Sequence, residues 1–125
     1  MKRIISTNDA PKALATYSQA IEINGMLFIS GQIAIDPVTG KLVEGGVTEQ
    51  TQQVLKNIAA ILKEAGYEFK DVVKTTCILS DINNYGAMNA VYGSIFHENA
   101  PARAAFAAAG LPVGALVEIE LVAAR

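Results

Sequence analysis

The chain has 125 residues, of which 51% are apolar types and only 18% are charged, whereas soluble domains usually carry about a quarter charged residues. This length fits one domain over residues 1–125, and the low charge implies that part of its outside is covered, most simply by copies of itself. Ten basic and twelve acidic residues give a net charge of −2, which argues against a general nucleic-acid binder while leaving room for one small anion site.

The single cysteine, Cys77, excludes an intrachain disulfide and fits a reducing compartment. No signal-peptide core follows Lys2 and Arg3, and no uncharged stretch has the length of a lipid-spanning helix. A soluble cytoplasmic protein with no membrane contact is the expectation.

Lys2–Ser6 predicts a short strand, and Asn8–Pro11 a turn. Asn24-Gly25, between Ala20–Ile23 and Met26–Ser30, is a strong hairpin signal, because both central positions of a type I′ turn need positive φ. The second hairpin strand is expected to run to about Ile35, where Asp36-Pro37 opens a turn that Gly40 closes.

Val47–Ala65 predicts a helix about 28 Å long. Val54, Leu55, Ile58, Ala59, Ile61, Leu62 and Ala65 form its apolar stripe, with Gln50, Gln53, Lys56 and Lys63 largely outside it. Thr48 is the expected start cap and Gly66 the left-handed stop. Val72–Leu79 reads as a strand. A second helix is expected from Asn84 to Phe96, with Met88, Val91, Tyr92, Ile95 and Phe96 as its stripe. Strands near Arg103–Ala108 and Leu116–Ala123 complete the chain. The order predicts an α+β fold: a mixed β-sheet with two helices packed on one face and the other face left for a second copy.

Arg103 is the only charged residue between Asn99 and Val117. Amid small apolar neighbours it presents a fork suited to a carboxylate or phosphate, or else it pairs with a structural acid or points into water. Glu118 and Glu120, two apart, share one face of a strand while Val117, Ile119 and Leu121 pack on the other. They form either a solvent-facing acidic row or a cleft carboxylate able to hold a water or act as acid or base, within possible reach of Arg103. Ser30-Gly31-Gln32 allows close approach of a ligand or another chain at the glycine and one hydrogen bond at Ser30. Tyr17 offers a ring and a hydroxyl at a site or an interface. His97 suits a helix end, and Cys77 suits a buried small hydrophobe. No metal-ligand spacing, phosphate loop or Ser/His/Asp set occurs.

Tyr17-Ser18-Gln19-Ala20, Phe28-Ile29-Ser30-Gly31-Gln32, Leu55-Lys56-Asn57-Ile58, Ala65-Gly66, Met88-Asn89-Ala90-Val91-Tyr92, Pro101-Ala102-Arg103 and Val117-Glu118-Ile119-Glu120 occur in that order. Together they resemble the Rid family of reactive-intermediate deaminases, also called the YjgF family, over essentially the whole chain. The resemblance implies a chorismate-mutase-like fold and a homotrimer with clefts between neighbouring subunits. It implies hydrolysis of 2-aminoacrylate and 2-iminobutyrate, products of pyridoxal-phosphate dehydratases, to 2-keto acids and ammonia. No stable complex with those dehydratases is expected, and no cofactor or metal.

By the same resemblance Arg103 takes the substrate carboxylate and Glu118 holds the attacking water. Tyr17, Ser30, Gly31 and Asn89 support the cleft, and Glu120 is auxiliary. Ala15-Thr16 replaces a common Gly-Pro, and Ala104-Ala105 replaces a common Ser-Cys or similar polar pair, so no thiol follows the arginine. The competing expectation is a non-catalytic regulatory or interaction module that binds small carboxylates in the same cleft. Chorismate mutase chemistry would need more converging cations than Arg103 supplies, and fold likeness alone does not transfer it.

Overall fold

The computed structural model describes residues 1–125. Six strands form one sheet: β1 (Arg3–Ile5), β2 (Ala20–Ile23), β3 (Met26–Gln32), β4 (Val72–Leu79), β5 (Ala102–Ala107) and β6 (Val117–Ala124). The helices are α1 (Val47–Ala65) and α2 (Tyr85–Ile95). Strand order is β1-β2-β3-β6-β4-β5. Only β4 and β5 pair in parallel, so the sheet is mixed. β6, last in sequence, slots between β3 and β4 and joins the two halves of the chain.

The hairpin forms where Asn-Gly predicts it. Asn24 and Gly25 have φ of 51° and 75°, and Arg125 N–H donates to the Gly25 carbonyl, tying the chain end to the turn. β3 stops at Gln32, short of the expected Ile35, because its pairing with β6 slips by a bulge between Ile29 and Gln32. Beyond it Ile35 makes only an isolated bridge to Leu42.

α1 begins and ends where its apolar period begins and ends. Gly66, at φ 84°, stops it, with its N–H donating to the Leu62 and Lys63 carbonyls. The start differs from expectation: the cap position is Gly46, and Glu49 Oε1 accepts the Gly46 N–H at 2.8 Å, leaving no capping role for Thr48. Gln50 is also not on the outer side. It is buried, and its Oε1 accepts the Leu116 N–H at 2.8 Å.

Both helices cover one face of the sheet. The register row Ile5–Ala20–Ile29–Leu121–Thr75–Arg103 crosses all six strands on that face. Its first five members are buried, and Arg103 ends the row on the outermost strand. Val54, Ile58, Ile61 and Leu62 pack above it with Met88 and Tyr92. α2 is anchored by the Tyr92 hydroxyl, 2.7 Å from Thr75 Oγ1, and by the Phe96 ring, which meets Tyr92 at a tilt and Phe69 edge-on. Ile95, expected in its stripe, is instead exposed.

The opposite face carries no element of this chain. Ile4, Phe28 and Phe106 on it remain 43–63% exposed, beside half-buried Ile21, Val122 and Ile78. No helix is long and apolar enough to cross a membrane.

Candidate functional site

A polar concavity lies beside the open face of the sheet. A cleft of about 410 Å³ is lined by Tyr17, Ser30, Gly31, Ile33, Pro112, Glu118 and Glu120. Alternation along β6 places both glutamates there, since Val117, Ile119 and Leu121 are buried on the helix side. The bulge in β3 makes the cleft: Ser30 and Gly31 form the unpaired stretch beside β6, and Glu118 crosses it. A Cβ at Gly31 would overlap Glu118 Oε2 and stand 2.9 Å from its Cδ. The close approach that the glycine permits is therefore made by the chain's own carboxylate.

Burial raises the Glu118 carboxyl above its ordinary pKa, and the negative charge of Glu120 raises it further. No basic side chain is bonded to either glutamate. A carboxylate in this setting is a stronger base than a solvated one and holds a proton closer to neutrality.

Ser30 has a more defined role than the sequence conveys. Its hydroxyl donates to the Ser18 carbonyl at 2.6 Å, and its N–H donates to the Gln19 carbonyl. The hydroxyl proton is thus engaged, which leaves the Ser30 oxygen to act as an acceptor. These bonds pin the segment that carries Tyr17, whose side chain stays half exposed at the rim. Buried Gln19 reinforces the segment: its Nε2 donates to the Thr7 and Pro11 carbonyls, and its Oε1 accepts the Thr7 N–H. Asn57 donates to the Ile35 carbonyl at 2.9 Å, and Gln50 holds Leu116. Three amides of the core thereby fix the loops walling the cleft.

Arg103 and Asn89 form a separate group. Arg103 Nη1 donates to Asn89 Oδ1 at 2.7 Å and Nη2 to the Tyr85 hydroxyl oxygen at 2.6 Å. The guanidinium lies over the Tyr92 ring at 4.7 Å and the Tyr85 ring at 5.5 Å. No carboxylate pairs with it, which removes the structural ion pair as its explanation. Nor does it approach Glu118 within one chain. β4 separates their strands, and their side chains stand on opposite faces of the sheet.

The sequence reading missed Tyr85, Tyr92 and Pro112 as neighbours of these groups. For the tyrosines a signal existed: Tyr85, Asn89 and Tyr92 lie at i, i+4 and i+7, one face of α2. His97 is exposed, and Cys77 is buried mid-strand. Burial raises the Cys77 thiol above its ordinary pKa, with the Arg103 charge pulling the other way.

Comparison with known proteins places the whole chain among relatives of one fold. A family model described as endoribonuclease L-PSP matches residues 7–125. The 2-iminobutanoate/2-iminopropanoate deaminase of Rattus norvegicus is 48% identical over 125 residues, covering 100% of this chain and 91% of the rat protein. YyfA of Yersinia pestis, described as a Rid-family protein of unknown function, superposes with a TM-score of 0.95 at 47% identity and 100% coverage of both chains. Escherichia coli TdcF, solved with bound serine, gives a TM-score of 0.93 at 36% identity and 98% coverage of each. With ordered motifs, a family model and relatives all spanning nearly its full length, the chain belongs to the RidA/YjgF family.

Proposed function

We propose that this protein hydrolyses reactive 2-enamine and 2-imine acids to 2-keto acids and ammonia, at clefts between copies of a chorismate-mutase-like homotrimer. The observation that carries the reading is the pairing of an acid-free Arg103 with a Glu118 whose pKa is raised by burial, on opposite faces of one sheet. One chain cannot bring them together, so the arginine comes from one copy and the cleft of Tyr17, Ser30, Gly31, Glu118 and Glu120 from its neighbour. The exposed apolar residues of the open face supply the surface for such contact. The names of the deaminase relatives supply the substrate class. The net charge of −2 gives no support to a polyanionic substrate.

The chemistry follows from the groups. The enamine tautomerises and, protonated on nitrogen, presents an electrophilic iminium carbon. Arg103 binds the neighbouring carboxylate and fixes that carbon in register. Glu118 accepts a proton from water as its oxygen bonds to the carbon, giving a carbinolamine. The same carboxyl returns the proton to the amine nitrogen. The C–N bond then breaks, and loss of the hydroxyl proton leaves the 2-keto acid and ammonium. Positioning supplies much of the rate, because the substrate is already activated.

The test generates 2-iminobutyrate enzymatically and follows its decay with and without the protein. A saturable acceleration that disappears in Glu118→Gln is expected. No acceleration by the folded, assembled protein contradicts the reading, and 2-oxobutyrate binding without turnover would mark a non-catalytic carboxylate-binding module instead.

A further inference from the structure

We propose that Tyr85 is a substrate-binding residue of the Arg103 site, donating its phenolic proton to the carboxylate that the guanidinium holds. This rests on the reading of Arg103 as a carboxylate clamp and adds a residue that no motif in the sequence marked.

A guanidinium carries five N–H donors. Asn89 Oδ1 takes one from Nη1 and the Tyr85 oxygen takes one from Nη2, leaving Nε–H and one donor on each Nη. Both acceptors are neutral, so they fix the plane of the fork without cancelling its charge. An acid in either place would already occupy the site. The Tyr92 ring supports the guanidinium from below, and its own hydroxyl is engaged with Thr75.

Tyr85 differs from Tyr92 in this respect. Its oxygen accepts from Arg103, and its own proton has no acceptor in the chain. Tyr67, by contrast, donates to Glu22. The Tyr85 O–H is therefore a free donor whose oxygen stands 2.6 Å from Nη2. An anion seated on the remaining Nη donors comes within its reach. Accepting from a cation also polarises the hydroxyl and strengthens its donation. Tyr85 is half-buried, so the group is both held and reachable.

Tyr85→Phe keeps the ring and removes only the hydroxyl. Calorimetric titration of the assembled protein would compare 2-oxobutyrate with uncharged 2-oxobutanamide. The expected result is a roughly tenfold weaker Kd for 2-oxobutyrate, with much less change for the amide. In the ligand-free variant, rotation of the Arg103 side chain about Nε–Cζ, read by NMR, should quicken because one anchor is gone. In the parent protein, saturation with 2-oxobutyrate should slow hydrogen exchange of the Tyr85 hydroxyl, a readout that needs no variant. Unchanged 2-oxobutyrate affinity in Tyr85→Phe, or unchanged hydroxyl exchange in the saturated parent, overturns the proposal even if the guanidinium loosens. A parent protein that binds the amide as tightly as the carboxylate overturns the clamp itself, and this proposal with it.

Discussion

Gly31 and Glu118 face each other across the bulge between β3 and β6 so closely that a Cβ on residue 31 would occupy the place of Glu118 Oε2. The backbone of Gly31 is not in the left-handed region, so alanine there meets no backbone strain. Gly31→Ala should therefore act on the carboxylate and little else. A displacement of about 1 Å is enough to lower turnover on the order of 10²-fold. Thermal unfolding should change little. Near-parental turnover in this variant would show that the position of Glu118 is not critical.

Glu118→Gln should lower turnover by roughly 10²–10⁴-fold, and Glu120→Gln by much less. The pH dependence has a definite sign. The folded-state pKa of Glu118 is raised, by burial first and by Glu120 second. The folded state thus holds this proton more tightly than the unfolded state, and stability falls as pH rises from the ordinary glutamate range through the raised value. Activity that needs the ionised group rises across the same window. Glu118→Gln should match or exceed the parent in Tm at neutral pH, and that difference should vanish in acid. A lower Tm for the variant at neutral pH would contradict the assignment.

Cys77→Ala removes a fully buried thiol from the middle of β4. A loss of about 1 kcal/mol in stability is expected from the small cavity. Turnover per folded site should persist, since burial raises the thiol pKa and the proposed hydrolysis uses no thiolate. Abolished turnover in a well-folded variant would bring thiol chemistry back.

Val113 sits at φ 50° between Pro112 and Gly114 and is 72% exposed. A β-branched residue in the left-handed region is strained, and Pro112 next to it lines the Glu118 cleft. Val113→Asn should relieve about 1 kcal/mol and raise Tm by a few degrees. An unchanged or lower Tm would mean that contacts of the valine offset its backbone.

The legible parts of the molecule are those with a strong local period. α1 and β4 span the residues the sequence predicts, because Val54–Leu62 repeats at helical spacing and Val72–Leu79 is rich in β-branched residues. The Asn24-Gly25 turn is equally local. Thr48 does not cap the helix because α1 starts at Val47, so Thr48 lies within the first turn, and the Gln50 N–H already donates to the Gly46 carbonyl. β3 ended early because a bulge depends on its partner strand, which arrives some ninety residues later. The two glutamates could be placed on one side of β6 by alternation alone. That Arg103 stands on the other side of the sheet could not, because it requires the β6-β4-β5 order and its register. Tyr85 escaped notice because its partner is eighteen residues away on another element.

The division of Arg103 and Glu118 between opposite faces is the centre of the account, and subunit complementation tests it most directly. Arg103→Ala and Glu118→Gln chains, each inactive alone, would be unfolded together in equal amounts and refolded so that subunits mix. If a site takes its arginine from one copy and its glutamate from the next, random mixing in a closed ring leaves about a quarter of the sites intact. Turnover should return to about a quarter of the parental value, while either variant refolded alone stays inactive. Mixed assemblies, verified by native mass spectrometry, that recover no activity would contradict the shared site and place both residues in the service of a single chain.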